Sequence, residues 1–147
     1  MSIKKPEGPL EYEAEAVWNG RMGGVVTLPR GDRLQIDMAT EFGGLNEAPS
    51  PDDLFAASLS GCLLTTAVWF AKKMELNITE LAVKVKTKSE LVQGGFKITR
   101  IWVTMKVVGP PREKAERLAD LAERYCHLTR TLRGCVDIEF ALEYGGG

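Results

Sequence analysis

Ser50-Pro51-Asp52-Asp53-Leu54-Phe55-Ala56-Ala57-Ser58-Leu59-Ser60-Gly61-Cys62-Leu63-Leu64-Thr65-Thr66-Ala67-Val68-Trp69-Phe70 opens on a helix start signal and then stays apolar. Ser50 suits the N-cap, Pro51 the first turn, and Asp53 completes a capping box. Apolar residues continue almost all round this helix to Met74. A helix of that kind is covered on most sides, so it is predicted to be central, wrapped by sheet and by a second subunit. The small residues Ala56, Ala57, Ser58, Ser60 and Gly61 are expected to let other backbone approach just before Cys62. The apolar run is slightly short for a bilayer span, is interrupted by hydroxyls, and is flanked by Asp52/Asp53 and Lys72/Lys73. It therefore reads as a buried helix of a soluble protein.

Toward the N-terminus, residues 11–18 place Tyr12, Ala14, Ala16 and Trp18 on one face, the alternation of a strand. Asn19-Gly20 and Gly23-Gly24 mark a tight turn carrying Arg21 into Val25–Leu28. Pro29-Arg30-Gly31-Asp32 makes the next turn, and Leu34, Ile36 and Met38 alternate again. Three short antiparallel strands in a meander are predicted. A Gly-rich segment, Glu41 to Pro49, leads to the helix.

Beyond the helix, Ile78–Lys88 and Phe96–Val108 read as strands joined through Gln93-Gly94-Gly95. Pro110-Pro111 stops the second, and Leu118, Leu121, Ala122 and Tyr125 form one face of another helix ending at Cys126. Leu132-Arg133-Gly134 turns into a last strand with Val136, Ile138, Phe140 and Leu142, and Gly145–Gly147 is expected to fray. With no internal repeat or linker, the chain reads as one α+β domain over residues 1–147.

Composition narrows the function classes. Nineteen basic against twenty acidic residues give a formal net charge of −1, which supplies no basic face for nucleic acid or an anionic membrane. Lys84, Lys86 and Lys88 alternate along a strand and read as its solvated face. The stretch from Met1 to Pro6 lacks the apolar core of a signal peptide, so a cytoplasmic location is expected. Three cysteines are an odd number without framework spacing, which argues against a secreted disulfide scaffold.

Thiols kept in a reducing compartment are either core packing or transient redox groups. A peroxide-reducing thiol needs a lowered pKa, a nearby cation and a second thiol to trap its sulfenic acid. Cys62, Arg21 and Cys126 are candidates for these roles. Arg21 sits in a Gly-flanked turn, is expected to be positioned by backbone flexibility, and carries a charge that favours thiolate over thiol. Asp52 has a plain structural reading as an acid offsetting the helix dipole. His127 reads as following a helix C-terminus, and Cys135 as a core residue with an alternative resolving role. A zinc set of Cys62, Cys126, His127 and Cys135 lacks the usual short spacings.

Taken together, these residues resemble the OsmC/Ohr family, the osmotically inducible protein C and organic hydroperoxide resistance proteins. The resemblance runs nearly end to end. It rests on an Arg in a Gly-bearing turn (Arg21), on Pro51-Asp52-Asp53-Leu54-Phe55-Ala56-Ala57 leading to Cys62, and on Cys126 at a helix end before a final strand. It implies an OsmC-like fold, with antiparallel sheets wrapped around a central buried helix in an intertwined homodimer. It also implies a thiol peroxidase for organic hydroperoxides, with Cys62 peroxidatic, Cys126 resolving, Arg21 stabilising the thiolate and Asp52 holding the arginine. A dihydrolipoyl-type dithiol would be the reductant, and no metal, flavin or other cofactor is implied. Asp52 stands where the peroxidases usually carry glutamate, and His127 where proline is typical. The alternative function is an OsmC-like binding or stress-response protein whose cysteines do not turn over.

Overall fold

A computed structural model of the chain describes residues 4–145. They fall into two compact units, residues 4–55 and residues from Ala56 onward. The first holds β1 (Glu15–Trp18), β2 (Gly23–Thr27) and β3 (Arg33–Asp37), a three-stranded antiparallel meander in the order β1-β2-β3. The meander is the one expected, but its first strand begins at Glu15 rather than Glu11, and all four of its residues are exposed. Gly23 and Gly24 are required by strand contact. A Cβ on Gly23 would fall on the Ile36 carbonyl, and one on Gly24 on the Val17 carbonyl.

Helix α1 (Pro51–Lys73) is unbroken and begins as the capping box predicts. The Ser50 N–H donates to Asp53 Oδ2 (2.9 Å), and the Asp53 N–H donates to Ser50 Oγ (3.2 Å). Two orphan groups of the first turn are thus satisfied reciprocally. The helix buries one stripe, Leu59, Leu63, Ala67 and Ala71, which recur every fourth residue. Coverage on most sides is not seen within the chain: Val68 and Thr65 stay exposed. A Cβ added at Gly61 meets nothing within 4 Å among the described residues.

The second unit is built on β4 (Glu80–Val92), β5 (Gly95–Val108) and β6 (Asp137–Gly145), in the order β4-β5-β6. β4 and β5 form the expected hairpin, with a register shift at Lys88/Ser89. β6 departs from the all-antiparallel expectation and runs parallel to β5. Parallel neighbours need a crossover, and α2 (Arg112–Tyr125) and α3 (His127–Leu132) supply it. Ile101, Val103, Met105 and Val107 of β5 alternate fully buried along one face. Opposite them in register lie Ile138, Phe140, Leu142 and Tyr144 of β6.

α2 packs Ala115, Leu118, Ala119 and Ala122 into a core cluster with Met105, Val107, Ala67 and Ala71. Leu118, Leu121 and Ala122 of the expected face are buried, and Tyr125 alone of it is exposed, at 43%, its ring tilted against Phe70 at 5.5 Å between centroids. α1 is long and apolar enough to cross a membrane by length and composition, but Ala67 and Ala71 are core residues here. Lys84, Lys86 and Lys88 lie on the exposed face of β4, as expected. Gly145, expected to fray, closes β6 opposite Val108, and Gly146 and Gly147 lie outside the described residues.

Candidate active site

In the second unit, the fold brings together two sulfur atoms. Cys62 stands on α1, one residue before the buried Leu63, and is itself partly exposed. Its carbonyl accepts hydrogen bonds from Thr66 Oγ1 (2.7 Å) and Thr65 Oγ1 (3.2 Å), which tie this turn to the next. Cys126 stands at the break between α2 and α3, with extended backbone angles (φ −61°, ψ 125°). Its N–H donates to the Ala122 carbonyl (3.0 Å) and its carbonyl accepts from the Arg130 N–H (3.0 Å), so one residue closes one helix and opens the next. Its side chain is fully buried.

Both are free thiols, and Cys62 lies near enough to Cys126 to act on its titration. Burial pushes the Cys126 thiol above its ordinary range. The hydroxyl and amide of Thr129 act against that shift, while Cys62 reinforces it. A buried thiol with a raised pKa is a poor nucleophile, whereas the partly exposed Cys62 is the sulfur a solute can reach.

Arg21 lies in the other unit, in a turn that is held by hydrogen bonds. The Asn19 side chain accepts from the Arg21 N–H (2.8 Å) and, at longer range, from the Gly23 N–H (3.4 Å). The Trp18 indole Nε1 donates to the Arg21 carbonyl (2.9 Å). This is an Asx turn braced by an aromatic N–H, not the flexible segment expected from the glycines. The Arg21 guanidinium donates from Nη1 to Glu47 Oε2 (2.9 Å). Asp52 makes no ion pair among the described residues, so the expected Arg21–Asp52 pair is not formed. Asp53, its neighbour, is the capping acid.

Glu47 is placed by a buried carboxylate. Asp37 is 4% exposed and accepts from the N–H groups of Met38 (2.9 Å), Leu45 (2.9 Å) and Glu47 (3.2 Å). Its own N–H donates to the Pro49 carbonyl (3.0 Å). One side chain thus organises the whole Gly-rich connection. Cys135, expected in the core, is exposed and lines a surface hollow with Lys97, Thr99 and Asp137. It lies just before β6. His127 is exposed and follows the C-terminus of α2, as expected, and it is also the first residue of α3.

The OsmC-like protein family model matches residues 44–141, two-thirds of the chain. The chain belongs to the OsmC-like protein family. The matched residues include both Cys62 and Cys126 and leave Arg21 outside. Organic hydroperoxide resistance protein OhrB of Bacillus subtilis is 30% identical over 95 residues, 64% of this chain and 69% of that protein. The organic hydroperoxide resistance protein of Xanthomonas axonopodis pv. citri is 26% identical over 95% of this chain and 99% of its own. Among solved structures, an organic hydroperoxide resistance protein from Elizabethkingia anophelis superposes with a TM-score of 0.82, covering 95% of this chain and 100% of that one, at 21% identity.

Within this OsmC-like chain, sequence reasoning missed Glu47 and Asp37. Asp37 carried a signal: it ends a strand just before a Gly-rich loop, where a carboxylate commonly collects backbone N–H groups. Glu47 had no local signal, because its partner lies 26 residues away.

Proposed function

We propose that this OsmC-like protein is a cysteine-based peroxidase that reduces organic hydroperoxides in the cytoplasm, as a single domain over residues 1–147 forming a homodimer. The Cys62 thiolate attacks the distal oxygen of ROOH; the O–O bond breaks, the alkoxide takes a proton, and ROH leaves behind a Cys62 sulfenic acid. The Cys126 thiol then attacks the Cys62 sulfur and expels water, giving a Cys62–Cys126 disulfide. A dithiol of the dihydrolipoyl class reduces that disulfide by exchange, returning two thiols and becoming a disulfide itself. Arg21 stabilises the Cys62 thiolate and polarises the peroxide.

The observation that carries this reading is the adjacency of the partly exposed Cys62 to the buried Cys126. The hydroperoxide resistance named for the relatives supports the substrate class. Tyr12 and Trp18, exposed at 86% and 73%, support a homodimer, since large aromatics so bare in one chain are covered in an assembly. The test is mass mapping under non-reducing conditions after one equivalent of cumene hydroperoxide. A bridged Cys62–Cys126 peptide and turnover with reduced lipoamide support the proposal. Over-oxidised Cys62 beside free Cys126 contradicts it.

A further inference from the structure

Arg21 is held by an acid that its own strand and turn do not supply. Glu47 comes from the connection between β3 and α1, and its carboxylate meets the guanidinium at 2.9 Å. Both side chains are about half exposed, at 59% and 51%, so solvent alone gives neither a reason to stay in one place. What fixes Glu47 is its backbone. The buried Asp37 carboxylate gathers the N–H groups of Leu45 and Glu47, and the Asp37 N–H holds the Pro49 carbonyl. What fixes Arg21 is its turn, pinned by the Asn19 side chain and the Trp18 indole. Two rigid backbones thus present opposite charges to one another.

We infer that Glu47, anchored through Asp37, is the positioning residue for Arg21, and that Asp52 does not serve in this role. The inference rests on the catalytic role proposed for Arg21 and names the carboxylate behind it. A guanidinium is a planar fork whose direction matters as much as its charge. An acid on one edge of that fork fixes the edge left for a peroxide oxygen. Glu47→Gln keeps size and removes charge, so Arg21 keeps its turn and loses its orientation.

The experiment uses the full chain and two readouts. Arg21 modification by phenylglyoxal, followed by peptide mass mapping, reads the ion pair without any need for turnover. Glu47→Gln should label Arg21 about 2- to 5-fold faster than wild type, the range for loss of an exposed ion pair. Glu47→Asp should label at a rate closer to wild type, and Asp52→Asn should label as wild type does. With cumene hydroperoxide and saturating reduced lipoamide, Glu47→Gln should raise KM for the peroxide by a similar factor and leave the thermal midpoint near wild type. Arg21 labelling unchanged in Glu47→Gln, or accelerated more by Asp52→Asn, overturns the inference. So does faster labelling with unchanged peroxide KM. Absence of turnover in the wild type defeats the peroxidase proposal alone, since the labelling comparison still tests which acid holds Arg21.

Discussion

Cys126 is fully buried at the break between two helices, where burial raises its thiol pKa and the free, partly exposed Cys62 adds to the rise. The pair is asymmetric: one sulfur is partly open and the other is closed. That asymmetry assigns roles, since attack on a peroxide needs access and resolution needs only proximity.

Replacing Cys126 by Ser should therefore leave the first oxidation intact and remove the trap. Treated with excess cumene hydroperoxide, C126S is expected to accumulate sulfinic and sulfonic Cys62, read by intact-protein mass as added oxygens. C62S should show neither the oxygen additions at that position nor peroxide consumption. Cys126 oxidised first in C62S, at the wild-type rate, would reverse the assignment.

The raised pKa of Cys126 also makes a stability prediction with a definite sign. The folded protein binds the thiol proton more tightly than the unfolded chain, where a thiol titrates near pH ~8.5. Above that pH the unfolded state carries fewer protons than the folded state, so this contribution is complete at neutral pH and is lost as pH rises through the alkaline range. Urea unfolding at pH 7 and pH 9.5 should show a steeper loss for wild type than for C126S, with reductant present throughout.

Asp37 is the buried acid on which the 41–49 connection depends. Asp37→Ala leaves the N–H groups of Met38, Leu45 and Glu47 without their acceptor. Buried donors left unpaired cost about 1–3 kcal/mol each when water cannot reach them. Partial rescue by water should leave a net loss of about 2–4 kcal/mol in denaturant unfolding. A loss below that of a typical surface substitution would mean that the loop holds itself.

Leu118→Ala tests the core of the second unit. Leu118 is fully buried in the cluster with Met105, Val107 and Ala67. Its truncation is expected to lower stability by about 2–5 kcal/mol, set by how far the neighbours collapse into the space. The smaller change Ser50→Ala, which removes the cap of α1, should cost about 1 kcal/mol. Chemical denaturation read by circular dichroism orders the two.

Much of the architecture was legible before any coordinates. The 50–53 capping box, the alternating 34–38 run, the hairpin at Gln93-Gly94 and the stop at Pro110-Pro111 are all short-range patterns. Each predicted element exists, with boundaries shifted by a few residues. Local order escaped where the chain reused one residue for two purposes: Cys126 both ends α2 and begins α3, a helix that periodicity over six residues cannot reveal. Gly23 and Gly24 were read as flexible, whereas they are small because strands press on them.

Residue spacing, then, was enough to say which faces turn inward and that Cys62 lies within a helix and Cys126 at the end of one, because burial and helix capping depend on neighbours within a turn or two. It could not say which acid meets Arg21, that β6 would lie parallel to β5, or that Cys135 would face solvent. Those outcomes depend on loops closing over tens of residues, and contacts formed that way are chosen by the packing of distant segments against one another.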